Sequence, residues 1–464
     1  MTETFVVVGG DAAGMSAASK AKREDPELEV VVFERGEWVS YGACGMPYYV
    51  GGDVPELEDL VAVPPEEFRT QRDIDLRTEH EVVAVDTERQ QVTVETDDER
   101  FQQPYDDLLI ATGAHAVEPS FAGMELDGVF TIHDMDEADE IDSYLTDHGP
   151  ETAAVVGGGY VGIEMAEAFV ERGLTVHLFE MLPHVLQPFG EPVGEVVAEH
   201  LREKGVHLHL DTAVSGFGGG DNLGESEGSD GAETPESRVA EVVLGEETVA
   251  ADVAVVGVGV APNTELAAAA GIERGPTGAI ATDAYGRTSA ERVYAAGDCA
   301  EVDNVVTGEP DHVPLALTAN RAGRAVGQTV AGSATPVGGT AGTAIVKAFE
   351  LGAARTGLTD PESAREAGFN PVSVTIDAPT RAHYYPGSEE LQVTLLADSE
   401  SGRLLGGSVV GREGVKRIDT VVAAVHEAST VGDLQRMDLA YAPPFSPVWD
   451  PILTAAKVLD GHLE

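Results

Sequence analysis

Two stretches of this 464-residue chain repeat one pattern, and the pattern leaves few folds open. In the first, Phe5-Val6-Val7-Val8 runs into Gly9-Gly10-Asp11-Ala12-Ala13-Gly14, then a helical stretch over Met15–Arg23, then Val30-Val31-Val32-Phe33, which ends in Glu34 and Arg35. In the second, Ala153-Ala154-Val155-Val156 runs into Gly157-Gly158-Gly159-Tyr160-Val161-Gly162, a helical stretch over Ile163–Arg172, and Val176-His177-Leu178-Phe179, which ends in Glu180. Short apolar runs without polar alternation read as strands buried on both faces, the condition of a parallel sheet. A glycine-rich turn between strand and helix presents free N–H groups to a pyrophosphate, and the closing acid accepts from a ribose hydroxyl. The chain is therefore expected to be α/β, with two Rossmann-like dinucleotide-binding units whose cofactors exchange a hydride.

The two turns differ in one place. All three fingerprint glycines, Gly157, Gly159 and Gly162, stand in the second, whereas Asp11 replaces the middle one in the first. Glu180 would repel a 2′-phosphate, which favours NADH, with NADPH the alternative donor. Two further strands end in small-residue turns suited to close approach of a cofactor: Leu108–Ile110 before Ala111-Thr112-Gly113, and Val293–Ala295 before Ala296-Gly297-Asp298. Asp298 is suited to bonding a polyol chain; its alternative role is as a helix N-cap.

Ser40-Tyr41-Gly42-Ala43-Cys44-Gly45-Met46-Pro47-Tyr48-Tyr49 follows the first unit and holds one of only two cysteines. The positions five residues either side of Cys44 are Val39 and Tyr49, so no redox disulfide forms there and Cys44 works alone or is structural. If it opens the helix expected over Met46–Val50, the helix N-terminus lowers its pKa. Gly45 and its small neighbours leave room for a flat cofactor ring. The second cysteine, Cys299, reads as a packing residue. Two cysteines exclude a disulfide scaffold and point to a reducing cytoplasm. Acids outnumber bases 82 to 28, for a net charge of −54 spread over the chain. Such a surface fits adaptation to strong salt and repels nucleic acid. No signal peptide, membrane span or metal-ligand spacing is evident.

Residues 216–237, rich in Gly, Ser, Glu and Asp, read as an exposed, mobile hairpin tip between strands Val206–Leu210 and Val239–Leu244. A glycine-rich break at Gly332–Gly342 precedes a separate α+β region, with strand-like runs at Ala344–Lys347, Val372–Thr375 and Leu391–Leu395 and a helix-like run at Ile418–Ala428.

Together these motifs resemble the pyridine nucleotide–disulfide oxidoreductases, in particular the single-cysteine branch of coenzyme A-disulfide reductases, NADH oxidases and polysulfide reductases. The likeness runs from about Phe5 to Pro451; Ser40–Tyr49 and Tyr441–Pro447 are its branch-specific parts. It implies an FAD-binding domain over 1–118 and 250–331, an NAD(H)-binding domain over 119–249 and a dimerisation domain over 338–464. FAD would be held by Gly9, Gly10, Asp11, Ala12, Ala13, Gly14, Glu34, Arg35, Thr112, Gly113 and Asp298. NADH would be held by Gly157, Gly159, Tyr160, Gly162 and Glu180, with Glu164 positioning nicotinamide or serving as an ordinary helix carboxylate. Cys44 would be the redox thiol, with Tyr384 and Tyr441 of a homodimer partner assisting thiol protonation. Lys20, Arg23, Ser40 and Asn320 fall where coenzyme A contacts lie; Lys20 and Arg23 have the alternative of a solvated helix face. The implied substrates are coenzyme A disulfide or a related small disulfide, with oxygen or polysulfide as alternatives. A nucleotide-sensing flavoprotein without turnover is a remoter reading.

Overall fold

In the computed structural model, which describes residues 3–220 and 238–463, each nucleotide unit is built on its own five-stranded parallel sheet. The first runs in the order Val293–Ala295, Asp107–Ile110, Thr4–Val8, Glu29–Phe33, Asp75–Arg77. The second runs His207–His209, Thr175–Phe179, Thr152–Val156, Val253–Val256, Val129–Phe130. The apolar runs are buried for the reason their sequence suggests. Phe5 and Val7 enter the core under helix Ala12–Glu24, while Val6 and Val8 enter the core on the other face. Ala153 and Val155, against Ala154 and Val156, divide in the same way.

Both helices begin earlier than expected, at Ala12 and Tyr160, because the last turn residues already wind into the first helical turn. Helix Ala12–Glu24 packs on Ala316–Val330 so closely that a Cβ on Gly323 would stand 2.0 Å from the Ala13 carbonyl oxygen. The expected boundary between 249 and 250 is corrected by pairing: Val253–Val256 belongs to the second sheet, beside Ala153–Val156. The chain crosses between units through the antiparallel pair Ala114–Ala116 and Val260–Pro262.

The expected hairpin is corrected as well. Val239–Leu244 pairs with Gly216–Gly219, where Phe217 is buried, and not with His207–His209, which lies on the edge of the second sheet. The rest of the expected tip, 221–237, lies outside the described residues. The C-terminal region is α+β: an antiparallel sheet in the order Ala344–Ala348, Leu351–Gly357, Leu404–Gly411, Glu390–Asp398, Pro371–Pro379. Helices Ile418–His426 and Pro451–Asp460 cover it. Its first hairpin, through Val346, Phe349 and Leu351, shares a core with the second nucleotide unit.

Candidate active site

The two glycine turns are built alike down to individual hydrogen bonds. Gly9 N–H donates to the Phe33 carbonyl and Gly157 N–H to that of Phe179, both at 2.8 Å. Their φ angles are 110° and 108°, open to glycine and costly for other residues. A Cβ at Gly14 would lie 1.9 Å from the Gly9 carbonyl oxygen, and one at Gly162 would lie 1.8 Å from that of Gly157. Glu34 and Glu180 each accept from their own turn, at Gly10 N–H and Gly158 N–H, both 2.7 Å. Their second oxygens accept from Gly36 N–H at 2.9 Å and Leu182 N–H at 2.8 Å. Each acid thus fixes its turn and presents a held negative charge at the cavity wall. Neither helix has a side-chain N-cap, so first-turn N–H groups stay free for a phosphate.

Gly159 and Asp11 show what the one sequence difference does. A Cβ at Gly159 would meet nothing within 4 Å, so protein packing does not demand glycine there; the space suits a ligand pressed against the backbone. Asp11 instead accepts from Tyr41 N–H at 3.1 Å and ties its turn to the cysteine segment. Burial pushes its carboxyl up to about 6, against backbone hydrogen bonds from Ala12 and Tyr41, with Glu34 and Asp298 adding repulsion.

A cavity of about 2440 Å³ runs past both turns. Sites for one small ligand are typically about 300–1,000 Å³, so this one has room for more than one ligand. Cys44 opens onto it from a 3₁₀ turn, Ala43–Gly45, that precedes helix Met46–Gly51. The expected lowering of its pKa is corrected: enclosure by the cavity walls pushes the thiol up, and the charges of Glu164 and Asp298 push it further. A Cβ at Gly45 would lie 2.4 Å from Leu60 Cδ2, so a larger residue there would have to displace the Leu60 side chain.

Glu164 lines the cavity and accepts from Tyr48 Oη–H at 2.9 Å. Burial pushes it up to about 7, with the Tyr48 hydrogen bond opposing. Thr112 and Gly113 line the cavity too, and Thr112 Oγ1 donates to the Asn263 carbonyl at 2.7 Å. Asn263, which sequence reasoning missed, returns bonds from Nδ2 to the Thr112 and Ala114 carbonyls at 2.8 and 2.9 Å. Asp298 caps no helix; it sits in a turn on the cavity wall, its carboxyl raised by burial, with His133 and His312 opposing. Cys299 is fully buried, its Sγ 3.5 Å from the Ile110 and Ala296 carbonyl oxygens, as a packing residue would be.

Lys20, Arg23, Ser40 and Asn320 all line the same cavity. Lys20 is not on a solvated face: it is 7% exposed and paired with Glu24, whereas Arg23 is exposed. Ser40 holds a φ of 51° and donates its N–H to the Gly10 carbonyl at 3.0 Å. Ser16 Oγ donates to Asn320 Oδ1 at 2.6 Å, bridging the two packed helices. Arg35, Arg72 and Arg324 add cations to the walls. The last two were missed because no local motif marks them. Tyr384 and Tyr441 stand apart from this cavity, exposed on the C-terminal region with their hydroxyls 3.4 Å apart, near exposed Phe445, Val448 and Trp449. Among the described residues no group of three or more His, Cys, Asp or Glu is placed to hold a metal ion, and no helix is long and apolar enough to cross a membrane.

Known proteins give this geometry a context. A sulfur oxidoreductase of Pyrococcus abyssi, named as NAD(P)H- and CoA-dependent, is 41% identical over 98% of both chains. A coenzyme A disulfide reductase of Staphylococcus aureus is 30% identical over 95% of this chain and 96% of its own, and an NADH oxidase of Methanocaldococcus jannaschii is 32% identical over 97% of both. The solved structure of an NAD-dependent persulfide reductase from A. fulgidus superposes with a TM-score of 0.93 at 37% identity, over 99% of this chain and 83% of that one. Residues 3–323 match the family described as pyridine nucleotide-disulphide oxidoreductase, and residues 343–451 match its dimerisation domain. The chain belongs to the pyridine nucleotide-disulphide oxidoreductases, a family of FAD-dependent NAD(P)H oxidoreductases.

Proposed function

We propose that this protein is an NADH-driven reductase of coenzyme A disulfide or a closely related CoA-linked disulfide, with Cys44 as its single redox thiol. One observation carries the reading. In a chain with 82 acids, the only thiol open to the cavity shares that cavity with two dinucleotide turns and with Lys20, Arg23, Arg72 and Arg324. Cations gathered against so negative a background suit the phosphates of a nucleotide-bearing substrate.

FAD would lie along Gly9–Gly14, Glu34, Thr112, Gly113 and Asp298; when bound it supplies two-electron transfer between nicotinamide and sulfur. Gly157–Gly162 and Glu180 bind and orient NADH. The Cys44 thiolate attacks one substrate sulfur, forms a mixed disulfide and expels one coenzyme A thiolate. Two electrons from NADH then cleave the mixed disulfide, releasing the second coenzyme A and restoring Cys44. Tyr384 and Tyr441 of a second copy protonate the leaving thiolates; the exposed Phe445 and Trp449 beside them suit burial in a homodimer. Two free thiols suit a reducing, cytoplasmic setting.

A second reading, reduction of polysulfide or persulfide through the same Cys44, is supported by the relative at 37% identity, named a persulfide reductase, and by the one at 41%, named a sulfur oxidoreductase. Oxygen reduction through a Cys44 sulfenic acid is the third. Anaerobic NADH oxidation, measured with coenzyme A disulfide and with polysulfide, then compared with air, separates them. Turnover with coenzyme A disulfide that is lost in Cys44→Ser is expected. Rapid turnover in air alone, or with polysulfide alone, replaces the leading reading.

A further inference from the structure

Residues 40–51 lie in sequence between two strands of the first sheet, Glu29–Phe33 and Asp75–Arg77, yet the two ends of the segment are held by different units. At the front, Ser40 N–H donates to the Gly10 carbonyl at 3.0 Å and Tyr41 N–H to Asp11 at 3.1 Å, which ties it to the first glycine turn. Behind Cys44, helix Met46–Gly51 turns its apolar side to the second unit. Met46 and Val50, 4% and 0% exposed, share a core with Met135 and Ile141 of helix Met135–His148 and with Phe169 of helix Tyr160–Glu171. A Cβ on Gly51 would stand 3.3 Å from Ala168 Cβ, so the helices pack closely. Directional bonds then fix a helix that apolar contact alone would let slide. Asp136, Asp139 and Asp142 recur at intervals of three on helix Met135–His148. Trp38 Nε1–H donates to Asp136 at 2.9 Å, Tyr49 Oη–H donates to Asp139 at 3.1 Å, and Asp142 pairs with Arg172. Arg172, at the end of helix Tyr160–Glu171, also donates from Nε to the Val50 carbonyl at 2.6 Å, one of the last-turn carbonyls of helix Met46–Gly51. One guanidinium thus joins the Cys44 segment to both helices of the second unit.

We propose that Arg172 and the Tyr49–Asp139 pair are positioning residues for the Cys44 thiol: they hold its helix to the second nucleotide unit and so set where the thiol meets the cofactor and the substrate disulfide. Arg172 acts on Cys44 only through Val50 and the helix backbone. It stands twelve residues along its helix from Tyr160 and the second glycine turn, about 18 Å away, so its loss leaves nucleotide binding at that turn alone. The inference rests on Cys44 being the redox thiol and adds what places it.

Two readouts on the holoprotein test this. Alkylation by iodoacetamide, followed by intact mass, reads Cys44 without any substrate, because Cys299 is fully buried. Anaerobic stopped-flow absorbance separates flavin reduction by NADH from flavin reoxidation by coenzyme A disulfide. Misplacing a reacting group by about 1 Å costs up to about 10²-fold, so Arg172→Met should slow reoxidation by about 10–100-fold while flavin reduction stays within about twofold. The alkylation rate should shift by at least about threefold. Tyr49→Phe, which loses one hydrogen bond and little packing, should slow reoxidation and shift alkylation by about threefold, and it decides alone if Arg172→Met does not fold. Asp139→Asn keeps an acceptor for Tyr49 and should behave as wild type. Unchanged alkylation and reoxidation in Arg172→Met and Tyr49→Phe overturn the proposal. Equal slowing of both half-reactions, or a lower thermal midpoint without a change in alkylation, shows a role in stability alone and overturns it too. Disulfide turnover surviving in Cys44→Ser would instead sink the functional reading beneath it.

Discussion

Replacing Asp11 by Asn should stabilise the protein, and only above a certain pH. The amide oxygen keeps the bond from Tyr41 N–H, while the charge that burial, Glu34 and Asp298 all oppose is gone. In the folded protein the Asp11 carboxyl titrates near about 6, against 3.8 when unperturbed, so between these values the folded state binds more protons than the unfolded chain. Stability therefore falls as pH rises through that window and stays reduced above it. Two units at about 1.4 kcal/mol each set an upper limit near ~3 kcal/mol, and relaxation around the group brings the expected cost to about 1–2 kcal/mol at pH 7. Thermal midpoints of the two proteins, measured in parallel from pH 4.5 to 8 at one salt concentration, isolate Asp11 and its coupling to Glu34 and Asp298, because acids not in contact with it cancel. Asp11→Asn should match the wild type at the acid end and exceed it by a few degrees at pH 7. It should also hold FAD more tightly, since a carboxylate near the turn opposes phosphate. A wild type at least as stable at pH 7, or a difference that does not change with pH, refutes the reasoning.

Other expected outcomes are as specific. Cys44→Ser should still bind FAD and accept reducing equivalents from NADH while disulfide reduction vanishes, whereas Tyr441→Phe should lower turnover by about 10²–10⁴, the usual worth of a general acid. Glu180 should give NADH the higher kcat/KM, and Glu180→Arg should move preference toward NADPH while loosening the turn that Glu180 bonds at Gly158 and Leu182; a wild-type preference for NADPH contradicts this. Salt should raise the thermal midpoint steeply up to about 1 M, where the Debye length falls to roughly 3 Å and the repulsion within a charge of −54 is screened. A midpoint already maximal in dilute buffer removes the case for salt adaptation.

Both nucleotide units could be read from sequence because their signals are local: an unbroken apolar run, glycines at fixed spacing and a closing acid within about thirty residues. What sequence could not supply was contact between distant segments. Nothing near Tyr48 announces Glu164, 116 positions away, and nothing near Thr112 announces Asn263. The expected low pKa of Cys44 came from a local rule about helix ends and lost to burial among the cavity walls, with acids from other elements adding to it. Lys20 shows the same limit. Helical periodicity cannot tell a solvated lysine from one covered by a cavity wall. Gly216–Gly219 was hidden for another reason: a strand made almost wholly of glycine carries no propensity signal, and its place is set by Phe217 and by pairing with Val239–Leu244.

The way the second unit interrupts the first bears on how the chain matures during synthesis. Val293–Ala295, the edge strand beside Asp107–Ile110, emerges some 180 residues after its neighbour. At roughly 5–20 residues per second, the first sheet waits about 10–40 s for that strand. Within that delay all the strands of the second sheet, from Val129 to Val256, have left the ribosome and can pair with one another. The nicotinamide side is thus free to fold as a unit while the flavin side is still missing an edge. On the proposed role of Asp298, just beyond that last strand, in holding the flavin, loading of the cofactor belongs to the end of the process rather than its beginning.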